Sequence, residues 1–268
     1  MRHPEPRGFS RRLVERFLLT TRSAGSVSHR IEVFSRALLG RPYKSNPLIG
    51  SAEYGETFTA AFAGFDCVTY IETVLALARA ANADDFVEWL RRIRYRNGVI
   101  RWDCRNHYMT LWIRNNSRER MLEPVSVPGI PISNRARVLA AVPGLGALRA
   151  RVRCVPKRAV PGLSAHLRTG DLIFFASTRA DLDVFHAGII VRDGAQTRLR
   201  HASRSQGRVV EQELSGFLKA NRMAGVIVVR PRDPARAAGD ARRRRRAPVH
   251  AAAFRPGKKG RREAAAQA

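Results

Sequence analysis

The chain has 268 residues, 44% hydrophobic and 26% charged, which supplies a large core and excludes a wholly disordered protein. Its formal charge of +27 is spread along the chain: from Arg232 onward there are 12 basic and 3 acidic residues, leaving 37 and 19 before it. Only 5 of the 49 cations are lysine, so an arginine-rich coding bias and a general attraction to anionic polymers or surfaces both account for the excess.

Residues 1–30 lack the continuous apolar stretch and small-residue cleavage site of a secretory signal, and no export address is read there. No run approaches the roughly 18 apolar residues of a spanning helix. Helices are expected over residues 9–22, with Leu13, Phe17 and Leu18 at helical spacing, and over 28–39, with Ile31, Phe34 and Leu38 ahead of Gly40 and Pro42. The strongest helical pattern covers 67–81: Val68, Ile71, Val74, Leu75 and Ala78 form one apolar face, and Asp66 stands where an N-cap belongs. Further helices are expected over 84–95, closed by Asn97-Gly98, and over 107–115. Prolines and glycines then mark 123–166 as a long loop-rich excursion with one short helix at 134–141. Short β-type runs follow at 172–175, 185–191, 197–202 and 226–230, with Asp193-Gly194 as a hairpin turn and a helix at 214–220 before the last run. Helices first and antiparallel strands afterwards define an α+β domain.

Beyond Arg232 the arginine block 242–246, the prolines and an alanine-rich end carry almost no large apolar residues, so residues 232–268 read as a disordered basic tail. Such a tail is suited to nonspecific contact with an anionic polymer, without a specific nucleic-acid partner. The division is then an extension at 1–27, a folded domain at 28–231 and the tail.

Cys67, Cys104 and Cys154 are too scattered for a disulfide framework or a zinc knuckle. Cys67 follows Asp66 in the first turn of the best-defined helix, where unpaired amides and the helix dipole favour a thiolate. His186 lies in an otherwise apolar strand, as either a satisfied core histidine or a base facing a cleft. His201 comes 15 residues later, across the expected hairpin turn, where it can orient the first ring if the two strands pair. Asp181 and Asp183 precede His186, either to tune it or as an acidic loop. Arg101, Arg105, His107 and Tyr108 form either a carboxylate-binding cluster or an exposed basic face.

Gly40-Arg41-Pro42-Tyr43, Phe65-Asp66-Cys67, His186-Ala187-Gly188-Ile189 and His201-Ala202-Ser203, in that order, resemble the NlpC-type cysteine peptidases of bacterial cell walls. The runs 39–48, 65–77, 105–115 and 182–188 are similar to the N-acetylmuramoyl-L-alanine amidase-like branch of that superfamily, over roughly residues 30–230. The resemblance implies a papain-like fold, with the nucleophile at the N-terminus of a helix packed on a small antiparallel sheet and extra N-terminal helices. It implies Cys67 as nucleophile, His186 as general base and acid, and His201 as the polar residue that fixes the imidazole. Tyr43 matches a tyrosine that places the nucleophile or the oxyanion; Asp66 matches an acid that holds the free amine of a stem peptide, alongside its reading as an N-cap. Arg105 and His107 join them as candidate substrate-binding residues on the cluster reading above, not on the resemblance. Neither a metal nor another cofactor is called for. The substrate is peptidoglycan or a muropeptide, cut as an amidase or as a γ-D-glutamyl-diamino acid endopeptidase; a thiol acyltransferase and a non-catalytic binder of anionic polymer are the competing readings. Val68-Thr69 replaces the Ser-Gly common after the cysteine, so the local binding surface differs. The resemblance points to the cell envelope, against the missing signal.

Overall fold

Residues 5–21 and 25–234 are described by a computed structural model. All but the first three residues of the expected tail lie outside the described residues, and no helix among them is long and apolar enough to cross a membrane.

Side-chain caps start the first helices: α1 (Arg11–Leu19) on Ser10, α2 (Val27–Ala37) on Ser26, α3 (Cys67–Arg79) on Asp66 and α4 (Ala83–Arg94) on Asn82. In α3 every residue from Thr69 to Arg79 is buried, not just the apolar face that its spacing predicts. The cause is position: α3 packs against α2 and α4 and against two strands of the sheet, so little of its surface reaches water. α5 (Met109–Arg118) follows, and α1 adds Val14 and Leu18 to the same core.

The strands are β1 (Leu122–Pro124), β2 (Ser133–Leu139), β3 (Leu148–Pro156), β4 (Leu172–Ala176), β5 (Val184–Asp193), β6 (Gln196–Ser203), β7 (Arg208–Glu213) and β8 (Gly225–Pro231). They form one antiparallel sheet in the order β2-β3-β8-β4-β5-β6-β7, with β1 also on β8. Helices α6 (Val160–Ser164) and α7 (Leu214–Ala220) lie on the face away from α3. Central strand β4 feeds both cores: Leu172 and Phe174 point into the α3 side, Ile173 and Phe175 into the other with Leu163 and Phe217. Alternate residues of a strand face opposite sides, so a fully apolar run marks a strand covered on both.

The α+β expectation holds as a mixed fold of helices and antiparallel strands, but the sheet is not small. The helix expected at 134–141 is strand β2, which pairs with β3 from Ser133↔Cys154 to Leu139↔Leu148. Arginine, alanine and leucine are good helix formers, yet they alternate here with period two, and cross-strand pairing overrides their propensity. The six-residue strand β7 was also not anticipated; it pairs with β6 from Arg198↔Glu213 to Ser203↔Arg208.

Candidate active site

The start of α3 is fixed from both sides. Asp66 Oδ1 accepts hydrogen bonds from the amides of Val68 (3.1 Å) and Thr69 (2.7 Å) and from the Thr69 hydroxyl (2.7 Å), while the Asp66 amide donates to Thr69 Oγ1 (3.1 Å). This closed capping box leaves Cys67 as the first helical residue, partly exposed. Just before it, the Phe65 amide donates to the Pro42 carbonyl (3.0 Å) and the Lys44 amide to the Phe65 carbonyl (2.9 Å), setting Tyr43 beside the helix start. Gly64 makes this approach feasible, because a Cβ there would lie 2.9 Å from the Pro42 oxygen. Burial raises the Tyr43 phenol, with the neighbouring Cys67 and Asp66 adding to it.

His186 stands on β5 and His201 on β6, paired from Ile189↔Arg200 to Asp193↔Gln196. His186 Nε2 lies 2.7 Å from His201 Nδ1, the rings at 89° to each other. Gly188 permits this closeness: a Cβ there would come within 2.8 Å of the Arg200 carbonyl oxygen and 3.1 Å of His201 Cβ. Phe217 of α7 covers both imidazoles, at 5.4 and 5.3 Å between ring centroids, and Phe175 stacks on His186 at 6.1 Å. His186 is thus neither a lone core histidine nor free in solvent.

This apolar cover decides the charge state. Burial, with His201 as a neighbour, lowers His186 to about 3, and burial lowers His201 to about 4. Burial also pushes the Cys67 thiol up to about 12, reinforced by Asp66, against the pull of the Ala187, Cys67 and Val68 amides. Burial and Asp66 thus hold the thiol above its ordinary value, and burial holds both imidazoles below theirs, opposing the thiolate that the helix-start amides favour.

Asp66, Arg105 and His107 converge on one cavity of about 470 Å³. His107 Nε2 meets the Trp102 carbonyl oxygen at 2.7 Å, so it carries the hydrogen and leaves Nδ1 as an acceptor. Burial lowers His107 to about 4, with Arg105 contributing. Arg105 donates to the Gly50 carbonyl (3.1 Å) and lies 3.6 Å from buried Glu56. The floor of the cavity includes the ion pair of Glu72 and Arg94, 2.7 Å apart and each 2% exposed.

The other candidates separate. Arg101 pairs with Asp103 at the surface (2.8 Å), and Tyr108 is buried, its hydroxyl accepting from the Val142 amide (3.2 Å). Asp181 pairs with Arg179, and Asp183 accepts from the Thr110 amide (2.7 Å) and hydroxyl (2.8 Å), capping α5 rather than touching His186. Cys104 and Cys154 are buried in the fold. Phe217, Gly188 and the Glu72–Arg94 pair escaped the sequence reading; a lone acid in the apolar run of α3 was the available signal for the last.

Three histidines held below the ordinary value of 6.5 make stability depend on pH. Between about pH 6.5 and 4 the unfolded chain binds protons that the folded state refuses, so stability falls as pH falls through that window. The expected result is a melting temperature clearly lower at pH 5.2 than at pH 7.5, with most of the fall above the carboxylate range; a flat melting profile across the window contradicts the neutral buried imidazoles.

Antiparallel strands backed by a buried helix, with a cysteine at the start of that helix and two paired imidazoles of β5 and β6 under α7, define an amidase-like mixed α/β protein. Residues 33–226 match the AmiA-like family, described as N-acetylmuramoyl-L-alanine amidase-like, and the chain belongs to that family. A solved N-acetylmuramoyl-L-alanine amidase from Bacteroides uniformis is similar at 25% identity and a TM-score of 0.69, over 78% of this chain and 100% of that one. Protein LPG0564 from Legionella pneumophila shares the fold at 19% identity, with a TM-score of 0.71 over 84% and 95% of the two chains. A putative xylanase from Bacteroides fragilis is similar at 27% identity, with a TM-score of 0.61 over 73% and 98%. No curated protein matches.

Proposed function

We propose that this protein is a cysteine-dependent amide hydrolase of peptidoglycan or muropeptides, acting as an N-acetylmuramoyl-L-alanine amidase with a papain-like, NlpC-type site. The reading is supported by the cysteine that opens α3 and by the two hydrogen-bonded imidazoles of β5 and β6, in a chain of an amidase-like family. Cys67 is the nucleophile, His186 the base and acid, and His201 the residue that orients it.

With both rings neutral, the productive tautomer has His186 Nε2–H donating to His201 Nδ1, which leaves His186 Nδ1 to receive the thiol proton. Because thiol and imidazole rest uncharged, the proton leaves as the sulfur attacks the amide carbonyl rather than beforehand. The carbonyl π electrons move onto oxygen. Of the helix-start amides, Val68 and Thr69 are committed to Asp66, so the oxyanion falls to the Cys67 amide and the Tyr43 hydroxyl. Collapse breaks the C–N bond, His186 protonates the departing amine, and water activated by the same ring hydrolyses the thioester.

Asp66 serves as N-cap through Oδ1, leaving Oδ2 to meet a substrate amine, while Arg105 and His107 supply a cation and an acceptor in the same cavity. The catalytic unit occupies residues 28–231. The test is digestion of purified muropeptides followed by product masses. Release of the intact stem peptide from the lactyl group is the expected outcome; cleavage after γ-D-glutamate assigns the endopeptidase activity instead, and no cleavage by the wild-type protein removes the hydrolase reading.

A further inference from the structure

The β2–β3 hairpin leaves the sheet as a two-stranded arm, since only Val155 and Pro156 of β3 pair with β8. Its charge is one-sided. No aspartate or glutamate occurs between Glu123 and Asp171, although the rest of the chain is well supplied with both. A coding bias toward arginine adds cations without removing acids across a segment of this length.

Between the arm and the β4–β5 connection lies a cleft of about 750 Å³, lined by Arg135, Arg137, Arg149, Arg151, Thr178 and Asp181. Arg137 is 9% exposed and donates Nη2 to the Ser177 carbonyl (2.7 Å), and its Nε is buried without a partner among the described residues. Arg135, Arg149 and Arg151 are exposed and form no ion pair within the described residues. The sole carboxylate of the lining, Asp181, is engaged at both oxygens by Arg179 (3.0 and 2.6 Å). The cleft therefore presents guanidinium groups that lack anions.

The tip of the arm packs against the neighbours of His107. At its tip the Val142 amide donates to the Tyr108 hydroxyl (3.2 Å), and Gly144, with φ +77°, fits closely against Ala52 and lies by Trp102, whose carbonyl holds His107. On the other wall Ser177 donates its amide to the Asp183 carbonyl (2.8 Å), three residues before His186.

We propose that this arginine-lined cleft is a second binding site, taking a short peptide that bears two or more free carboxylates. The proposal rests on the reading of the chain as an enzyme of stem peptides, whose acidic far end supplies such a chain. Separated guanidinium groups match separated carboxylates by two-point contact, and the volume suits a short peptide rather than a single ion.

The test uses full-length Cys67→Ala protein and a fluorescent tetrapeptide with two free carboxyl groups, compared with the same peptide amidated at both. The acidic peptide is expected to bind at least about tenfold tighter than the diamide, with Arg135→Gln/Arg151→Gln weakening it about fivefold, a scale set by partly exposed charge pairs. The pair Arg158→Gln/Arg168→Gln, equally basic but outside the cleft, is expected to leave affinity unchanged. Equal binding of acidic and amidated peptide, or equal loss in both variant pairs, overturns the site. This readout needs no turnover, so its failure is distinct from a failure of wild-type muropeptide hydrolysis.

Discussion

Cys67→Ala is expected to reduce muropeptide turnover by roughly 10⁴-fold or more, since in the proposed mechanism loss of the nucleophile of a coupled triad removes nearly the whole chemical step. The fold should be little affected. Cys67 is partly exposed, its side chain contributes nothing to the capping box, and Asp66 and Thr69 still close the helix start, so the melting temperature is expected to move by only about 2 °C. His186→Ala should be similarly inactive, and the double variant no worse than either single one, because residues acting as a unit are not additive. Product masses from purified muropeptides measure the activity and thermal melting the fold. Undiminished hydrolysis by a well-folded Cys67→Ala protein would dismiss the thiol mechanism.

What the sequence made legible were features coded locally. The helix at α3 was visible because Asp66 and the apolar spacing after it act within a few residues, and the β5–β6 hairpin because Asp193-Gly194 sits between two β-type runs. Two kinds of feature escaped. Strand β2 has its period-two alternation in plain view, yet its residues are good helix formers, and the decision came from β3, a partner across an eight-residue connection. The charge state of the site depends on Phe217, far along the chain and brought over both imidazoles only by packing. A helix-start cysteine predicts a thiolate when only the local dipole is counted; desolvation and the neighbouring Asp66 oppose that, and the desolvation is legible only in the packed structure.

Arg94→Met is expected to destabilise the fold by about 3–5 kcal/mol, because it strands the Glu72 carboxylate inside the protein. Arg94 Nε donates to Glu72 (2.7 Å) and Nη1 to the Thr59 carbonyl (2.6 Å), and Trp112 Nε1 donates to the other Glu72 oxygen (3.1 Å). With both side chains 2% exposed, water cannot replace the lost partner. For a folded unit of this size the loss corresponds to a melting temperature lower by roughly 10 °C. The double variant Glu72→Leu/Arg94→Met is expected to recover much of it, since two apolar groups of similar volume remove the buried charge altogether. If the double variant melts as low as Arg94→Met alone, the cost lies in the lost Thr59 contact, which ties the segment before α3 to α4, and not in an unpaired carboxylate. Denaturant unfolding of the wild type and both variants at pH 7.5, where the buried histidines are neutral in folded and unfolded chains alike, separates these two sources.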